Sequence, residues 1–146
     1  MTKSQLQGEA RLAAVKHGLD PALVCAVCEQ ESSWDTWAYR YEPAFERRYC
    51  PGRPIAATSF GLMQVMALVA EEMGFEGGFT RLCDPQEGLE AGCRKLKQCL
   101  TRAKGDVETA LLRYNGGGNP KYPGEVLARK PNYELIVQAA PAIAIE

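Results

Sequence analysis

The sequence has no long apolar run and no excess of charge of either sign. No segment approaches the roughly 18 consecutive apolar residues of a membrane-spanning helix, so we expect no membrane insertion. The 17 lysines and arginines nearly balance the 18 aspartates and glutamates, giving a net charge of -1. A chain without an overall basic field has little attraction for nucleic acid, so we expect no such partner. The basic group Arg94, Lys95 and Lys97 has the spacing of a solvated helix face.

The N-terminal stretch MTKSQLQGEARLAAVKHG lacks the apolar core of a signal peptide. We therefore expect the chain to be made in the cytoplasm and to leave it only by another route. Repeats, coiled-coil heptads and low-complexity segments are also missing. A length of 146 residues suits one domain with a sizeable core, so we predict a single domain, residues 1–146.

Disulfide and zinc frameworks are not expected, although the sequence contains six cysteines. Disulfides belong to oxidising compartments, and the sequence gives no sign of secretion. Cys25 and Cys28 form a CxxC pair inside a predicted helix, without a second pair at the spacing of a zinc site. We expect the cysteines to be free thiols that pack as small hydrophobic residues.

Helical patterns separated by loops dominate the chain. The first predicted helix is capped by Ser4 in a capping box and ends at Gly18. The second has Asp20 as its cap and Pro21 at its first position, and runs to about Glu31. No strand-type alternation stands out, so the predicted fold class is mainly all-α.

The middle of the chain is less regular. Residues 35–58 form a long aromatic loop with room for a small β-hairpin. A third helix ending at Gly74 is predicted from a helical stripe of apolar residues: Leu62, Val65, Met66, Val69 and Met73. Caps at Asp84 and Asp106 begin a fourth and a fifth helix. Two short helices are predicted near residues 122–129 and 132–140.

Glu31 is unusual because it continues an apolar stripe. Val24, Val27 and Glu31 fall at i, i+3 and i+7 on one helix face. Glu31 also lies in the last helical turn, where the helix dipole disfavours a negative charge. Burial and the dipole both raise a carboxyl pKa, and a carboxyl protonated near neutral pH can act as a general acid. Alternatively, Glu31 is an exposed residue paired with an arginine such as Arg40 or Arg47.

Three motifs follow one another with helical segments between them: ESSW at 31–34, SFGLMQV at 59–65 and RYNGG at 113–117. Together they resemble the lytic transglycosylases of the soluble type, within the goose-type lysozyme superfamily. The resemblance covers about residues 18–130, and RYEPAF at 40–45 is similar to a subgroup common in phages and bacteria. It implies a lysozyme-like helical domain with a substrate cleft. It also implies action on peptidoglycan glycan strands as a monomer, without metal or organic cofactor.

In this family a residue in the place of Glu31 is the single catalytic acid/base. It protonates the glycosidic oxygen between N-acetylmuramic acid and N-acetylglucosamine. It then takes the proton of the muramoyl 6-hydroxyl, which attacks C1 and closes a 1,6-anhydro ring. A second carboxylate is not required because the nucleophile belongs to the substrate, unlike in most glycosidases.

The resemblance also implies a set of substrate-binding positions: Ser32, Ser59, Met63, Gln64, Tyr114, Asn115 and Tyr122. Gln64 can donate and accept hydrogen bonds to a sugar. Tyr114 either hydrogen-bonds Glu31 and orients it or is a tyrosine of the core. Asn115 would hold the N-acetyl group or the glutamate. Met63 either contacts a sugar ring or fills the core. Arg113 stands where the family has alanine.

Glu42 and the loop aromatics have two interpretations each. Glu42 either enters the cleft as a second carboxylate or forms a salt bridge with Arg47, Arg48 or Arg53. The loop aromatics either stack on sugars or fold the loop over the core: Trp34, Trp37, Tyr39 and Tyr41.

Two other functions stay open. One is a hydrolytic muramidase that uses water at the same site, and the other is a glycan-binding module without activity. The substrate lies outside the cytoplasm, so delivery would depend on phage lysis, virion entry or a secretion machine.

Overall fold

The computed structural model describes the backbone of residues 1–145 and the side chains of residues 1–134. Over that range the fold is mainly helical, as predicted, with a small antiparallel sheet. The helices are α1 (Lys3–Lys16), α2 (Pro21–Ser32), α3 (Pro43–Tyr49), α4 (Ala67–Glu72), α5 (Pro85–Arg102), α6 (Val107–Tyr114) and α7 (Tyr122–Ile145), with a 3-10 helix at Phe79–Cys83. The strands are β1 (Tyr39–Tyr41), β2 (Thr58–Phe60) and β3 (Val65–Met66).

The first two helices begin at capping side chains. In α2 the Asp20 carboxylate accepts a hydrogen bond from a first-turn amide at 2.9 Å, and Pro21 follows it, as predicted. In α1 the predicted cap is wrong. Thr2 caps this helix in a capping box with Gln5, so the box lies two residues before the expected Ser4.

Helix α2 is the central helix of the fold. All residues from Ala22 to Cys28 are buried, and α1 packs against α2 on one side. Contacts between α2 and α7 are more extensive than between any other two elements. The end of α2 is sharp because Ser33 and Trp34 both have positive φ values, 51° and 66°. The chain therefore turns away directly after the end of the helix.

The sheet lies in and beyond the predicted loop. Its strand order is β1-β2-β3, with Arg40 opposite Ser59 and Ser59 opposite Met66. The predicted loop thus contains β-structure, but the sheet extends past residue 58. The loop also contains helix α3, which was not predicted. The sheet packs against α4, α5 and the 3-10 helix.

The predicted third helix is wrong in its first half. Gly61 and Gln64 have φ values of 81° and 49°, which no α-helix accommodates. Residues 61–64 therefore form a tight turn, and strand β3 follows it before α4 begins. Leu62 and Val65 are still buried, because a turn between two strands can also bury residues three apart.

The later helices begin as predicted, but the last one differs. Asp84 accepts a hydrogen bond from the Glu87 amide at the start of α5, and Asp106 caps α6 in the same way. Residues 122–145 form one helix instead of two short ones, with Pro131 inside it. Packing of α7 along α2 outweighs the backbone hydrogen bond that the proline removes.

The six cysteines are free thiols, and five of them are buried. Burial raises the pKa values of Cys25 and Cys93 to about 12, so both stay protonated at neutral pH. Among the described residues, no helix is both long enough and apolar enough to cross a membrane. The same residues contain no cluster of His, Cys, Asp or Glu suited to hold a metal ion.

Candidate active site

Glu31 lies in the last turn of α2, where the fully buried part of the helix ends. The side chain is half-buried, and its Oε2 accepts a hydrogen bond from the Tyr122 hydroxyl at 3.1 Å. Tyr122 is 2% exposed and stands at the start of α7. The predicted position at the edge of the core is thus observed. The alternative ion pair is not: Arg40 pairs with Glu42 instead, at 2.8 Å.

Burial raises the pKa of Glu31 from 4.5 to about 7. The hydrogen bond from Tyr122 and the positive charges of Lys95 and Arg40 lower the same pKa, but less than desolvation raises it. Near neutral pH the carboxyl is therefore present in both protonation states. Such a group can donate a proton and take one back.

Tyr114 does not form the predicted hydrogen bond with Glu31. Its buried hydroxyl donates to the backbone carbonyl of Met63 at 2.6 Å. Tyr114 therefore ties the end of α6 to the turn of residues 61–64, and Tyr122 is the tyrosine that orients the acid. Both tyrosines are candidate site residues in the sequence, but the contact with Glu31 is made by Tyr122 and not by Tyr114.

Replacing Tyr122 by phenylalanine is expected to raise the pKa of Glu31. The hydroxyl stabilises the carboxylate form, so its loss favours the protonated form by up to about one pKa unit. The measurement is an NMR titration of the Glu31 side-chain carboxyl. Tyr114→Phe is the matched control, since it removes a buried hydroxyl that does not bond Glu31. An equal pKa in wild type and Tyr122→Phe would contradict the assignment.

Polar contacts hold the turn of residues 61–64 to α2 and to the loop at Ala38. The Ser32 hydroxyl lies 2.9 Å from the backbone carbonyls of both Cys28 and Leu62. The Gln64 side-chain Nε2 donates to the carbonyls of Ala38 and Gly61 at 2.9 and 3.0 Å. The donor half of this amide is therefore used by the backbone, and its carbonyl oxygen is the half available to a substrate donor.

Met63 is fully buried, which agrees with the core-filling alternative and excludes direct contact with a sugar. It packs against Gly92 of α5 so closely that a Cβ there would lie 2.4 Å from the methionine sulfur. Asn115 follows α6 at its C-cap and is half-buried. Ser59 is half-buried in the middle of β2.

Glu42 forms a salt bridge, as one of its two interpretations predicted, but the expected partners are wrong. Its Oε1 lies 2.8 Å from Arg40 Nε, and the arginine side chain is 76% exposed. Arg40 and Glu42 are two residues apart at β1, whereas Arg47, Arg48 and Arg53 lie further along the chain. Glu42 is thus neutralised at the surface by its neighbour.

The four loop aromatics divide into a buried and an exposed group. Trp34 is buried and donates from Nε1 to the Tyr133 hydroxyl at 3.0 Å, so it anchors the loop to α7. Trp37 and Tyr39 are 76% and 73% exposed, and Tyr41 is also exposed. Only these three are placed where a sugar ring could stack on them.

The predicted solvated helix face is wrong for Lys95, whose side chain points inward. Its Nζ donates to the backbone carbonyl of Tyr114 at 2.9 Å and lies 4.1 Å from the centroid of that tyrosine ring. Desolvation lowers its pKa, while the charge of Glu31 raises it. Gly88, Gly92 and Lys95 fall at i, i+4 and i+7, a helical spacing that would have indicated this inward position.

The structure also has a cavity of about 370 Å³ that does not include Glu31. It lies beside α1, α4 and α5, with Lys16, Met73, Phe75 and Arg94 in its wall. The acid is thus not in this cavity. The arrangement around Glu31 is defined instead by the contacts of α2 with α7 and the turn.

Comparisons with known proteins found a matching family model and similar sequences. The family model of the Transglycosylase SLT domain matches residues 9–133. A protein named "Transglycosylase" from Enterobacteria phage PRD1 is 32% identical over 123 residues, which cover 79% of this chain. "Membrane-bound lytic murein transglycosylase F 1" from Alkalilimnicola ehrlichii is 28% identical over 128 residues, 84% of this chain.

The matched region is a part of each relative. It spans 39% of the phage protein and 22% of the bacterial one. No solved structure matches the chain significantly. The family model extends over most of the sequence and includes Glu31, the turn of residues 61–64 and Tyr122. The chain therefore belongs to the Transglycosylase SLT domain family.

Proposed function

We propose that the chain is a peptidoglycan lytic transglycosylase with Glu31 as its single acid/base. The observation that carries this proposal is the half-buried carboxyl of Glu31, whose pKa is raised to about 7 and which Tyr122 orients. Membership of the family and the printed names of the two relatives support the same activity. The substrate is the β-1,4 bond between N-acetylmuramic acid and N-acetylglucosamine.

The reaction uses one carboxyl group twice, first as an acid and then as a base. Protonated Glu31 donates its proton to the glycosidic oxygen as the bond from that oxygen to C1 breaks. The resulting carboxylate takes the proton of the muramoyl 6-hydroxyl, whose oxygen forms the new bond to C1. The 1,6-anhydro ring closes, no water is consumed, and Glu31 returns to its protonated form.

The charges around Glu31 support a mechanism without a second carboxylate. The charged groups that act on Glu31 are two cations, Lys95 and Arg40. Glu42, the candidate second carboxylate, is already paired with Arg40. The second carboxylate, which most glycosidases use as a base or a nucleophile, is not needed when a hydroxyl of the substrate attacks C1.

The remaining site residues are assigned by what their contacts leave free. The Gln64 carbonyl oxygen, Ser59 and Asn115 are the proposed contacts to sugar hydroxyl and acetamido groups. Ser32 and Tyr114 hold the turn beside Glu31, and Met63 fills the space beneath it. We further propose a single lysozyme-like domain at residues 1–146 that acts as a monomer. It would reach the cell wall by phage-mediated or another non-classical delivery.

Analysis of the product ends tests this function. Purified sacculi are digested in H₂¹⁸O, and the released fragments are identified by mass spectrometry. The transglycosylase predicts 1,6-anhydro-muramoyl ends without ¹⁸O. Reducing ends that carry ¹⁸O would support the hydrolytic muramidase instead. A folded protein that binds sacculi but releases no fragment would support the inactive binding module.

A further inference from the structure

Among the described residues, Lys95 is the half-buried one of the two cations whose charges lower the pKa of Glu31. Its ammonium group has two contacts with Tyr114. Its ammonium group donates to the carbonyl of Tyr114, the last residue of α6, at 2.9 Å. It also lies over the Tyr114 ring, 4.1 Å from the centroid. A cation at a helix C-terminus is stabilised by the helix dipole, and a desolvated cation over an aromatic ring gains further attraction.

Contacts continue from Lys95 to the end of α2. Tyr114, which the ammonium group holds, donates its hydroxyl to Met63 in the turn of residues 61–64. Ser32 contacts the Leu62 carbonyl of the same turn and directly follows Glu31. Lys95 thus contributes to the placement of two of the segments that surround Glu31.

Five groups of the described residues interact with Glu31 by a hydrogen bond or by charge. The Tyr122 hydroxyl on α7 donates to its carboxyl, and the charges of Lys95 on α5 and Arg40 on β1 lower its pKa. The charge of Glu31 in turn raises the pKa values of Tyr114 on α6 and Cys28 on α2. Burial keeps Tyr114 and Cys28 neutral, because it raises the pKa of each well above its usual value. Only the two cations remain charged.

The two cations are not equivalent. Arg40 is 76% exposed and is paired with Glu42, so water and the pair weaken its effect on Glu31. Lys95 is half-buried, and its ammonium group has no carboxylate as a hydrogen-bond partner among the described residues. A charge in such a place is screened much less than one at the surface.

We propose that Lys95 is a positioning residue of the reaction, which holds the end of α6 beside Glu31 and stabilises the carboxylate form of that residue. The inference rests on the proposed function in one respect, since it takes Glu31 as the acid/base. The carboxylate form exists between the two proton transfers. Lys95 therefore favours the state in which Glu31 must accept the proton of the 6-hydroxyl.

The test compares the Glu31 pKa in four variants by NMR titration of its side-chain carboxyl, with Glu31→Gln used for signal assignment. Lys95→Met removes the charge and the donor, Lys95→Gln removes the charge and keeps a donor, and Lys95→Arg keeps both. Lys97→Met is the matched control, since Lys97 is exposed on the same helix.

Both neutral Lys95 variants are expected to raise the Glu31 pKa by roughly half a unit to one unit, the effect of one partly screened charge. Lys95→Arg and Lys97→Met should leave it within about a tenth of a unit of wild type. A merely structural role of Lys95 would lower the melting temperature without moving this pKa. An unchanged pKa in either folded neutral variant overturns the proposal.

A reciprocal measurement does not depend on the folding of any Lys95 variant. Since the charge of Glu31 raises the pKa of Lys95, Glu31→Gln should lower that pKa in an NMR titration of the ammonium nitrogen. No change would also overturn the proposal. Neither titration requires enzymatic activity. If the end-group analysis shows no anhydro ends, the proposed function is rejected, whereas the role of Lys95 is tested by the two titrations alone.

Discussion

Replacing Glu31 by glutamine is expected to reduce glycan cleavage by roughly 10²- to 10⁴-fold, the contribution typical of a general acid/base. Glutamine has nearly the same shape, and its carbonyl oxygen can still accept the hydrogen bond from Tyr122. What it lacks is a proton to give to the glycosidic oxygen. The rate of fragment release from sacculi measures the effect.

Glu29→Gln is the matched control, because it makes the same chemical change two residues away in α2. Glu29 accepts a hydrogen bond from Tyr133 at 2.6 Å and pairs with Arg129, so it fastens α2 to α7. Its replacement should weaken the fold and spare the reaction. A wild-type rate in Glu31→Gln would reject Glu31 as the acid/base.

Replacing Glu31 by glutamine is also expected to change the stability of the protein. The folded state keeps Glu31 protonated up to about pH 7, whereas an unfolded chain ionises it near pH 4.5. Between these values the folded state binds more protons, so the stability of the wild type falls as pH rises. Glutamine does not titrate. The variant should therefore gain stability relative to wild type from pH 4.5 to about pH 7, in melting curves recorded across that range.

Replacing Gly61 by alanine is expected to destabilise the protein by about 2–4 kcal/mol. Gly61 has a φ value of 81°, a region that costs a residue with a side chain roughly 1 kcal/mol. A Cβ there would lie 2.2 Å from the backbone carbonyl oxygen of Leu82. Because this neighbour is backbone, it cannot rotate away, and overpacking of this kind costs about another 1–3 kcal/mol.

The midpoint of chemical denaturation measures the loss. Gly118→Ala is the control, since a Cβ at Gly118 meets no atom within 4 Å and its φ is not positive. Its midpoint should stay near that of wild type. Equal midpoints for Gly61→Ala and wild type would contradict the tight approach of this turn to Leu82.

Local chemistry made several elements predictable from the sequence. Asp20, Asp84 and Asp106 each carry a side chain that accepts a backbone hydrogen bond, and each begins a helix where predicted. The position of Glu31 was predictable from local helical periodicity. Its half-buried side chain is the direct consequence of a helical stripe that continues to the last turn of α2.

Contacts distant in sequence explain the features that were missed. The pairing of Ser59 with Met66 turns a helical stripe into a strand, and no local pattern reports it. Tyr114 and Tyr122 lie on different helices, so which of them contacts Glu31 depends on how α6 and α7 pack. The contact of Lys95 with Tyr114 depends on where α6 ends, which is also a matter of tertiary packing.

Glycan cleavage is expected to require the protonated form of the Glu31 carboxyl. The pH dependence of the initial rate of cleavage by the wild-type protein measures this requirement. We expect a rate that is half-maximal near pH 7 and falls about tenfold for each further pH unit, as Glu31 ionises. A rate that stays constant or rises between about pH 6 and about pH 9 would reject Glu31 as the general acid.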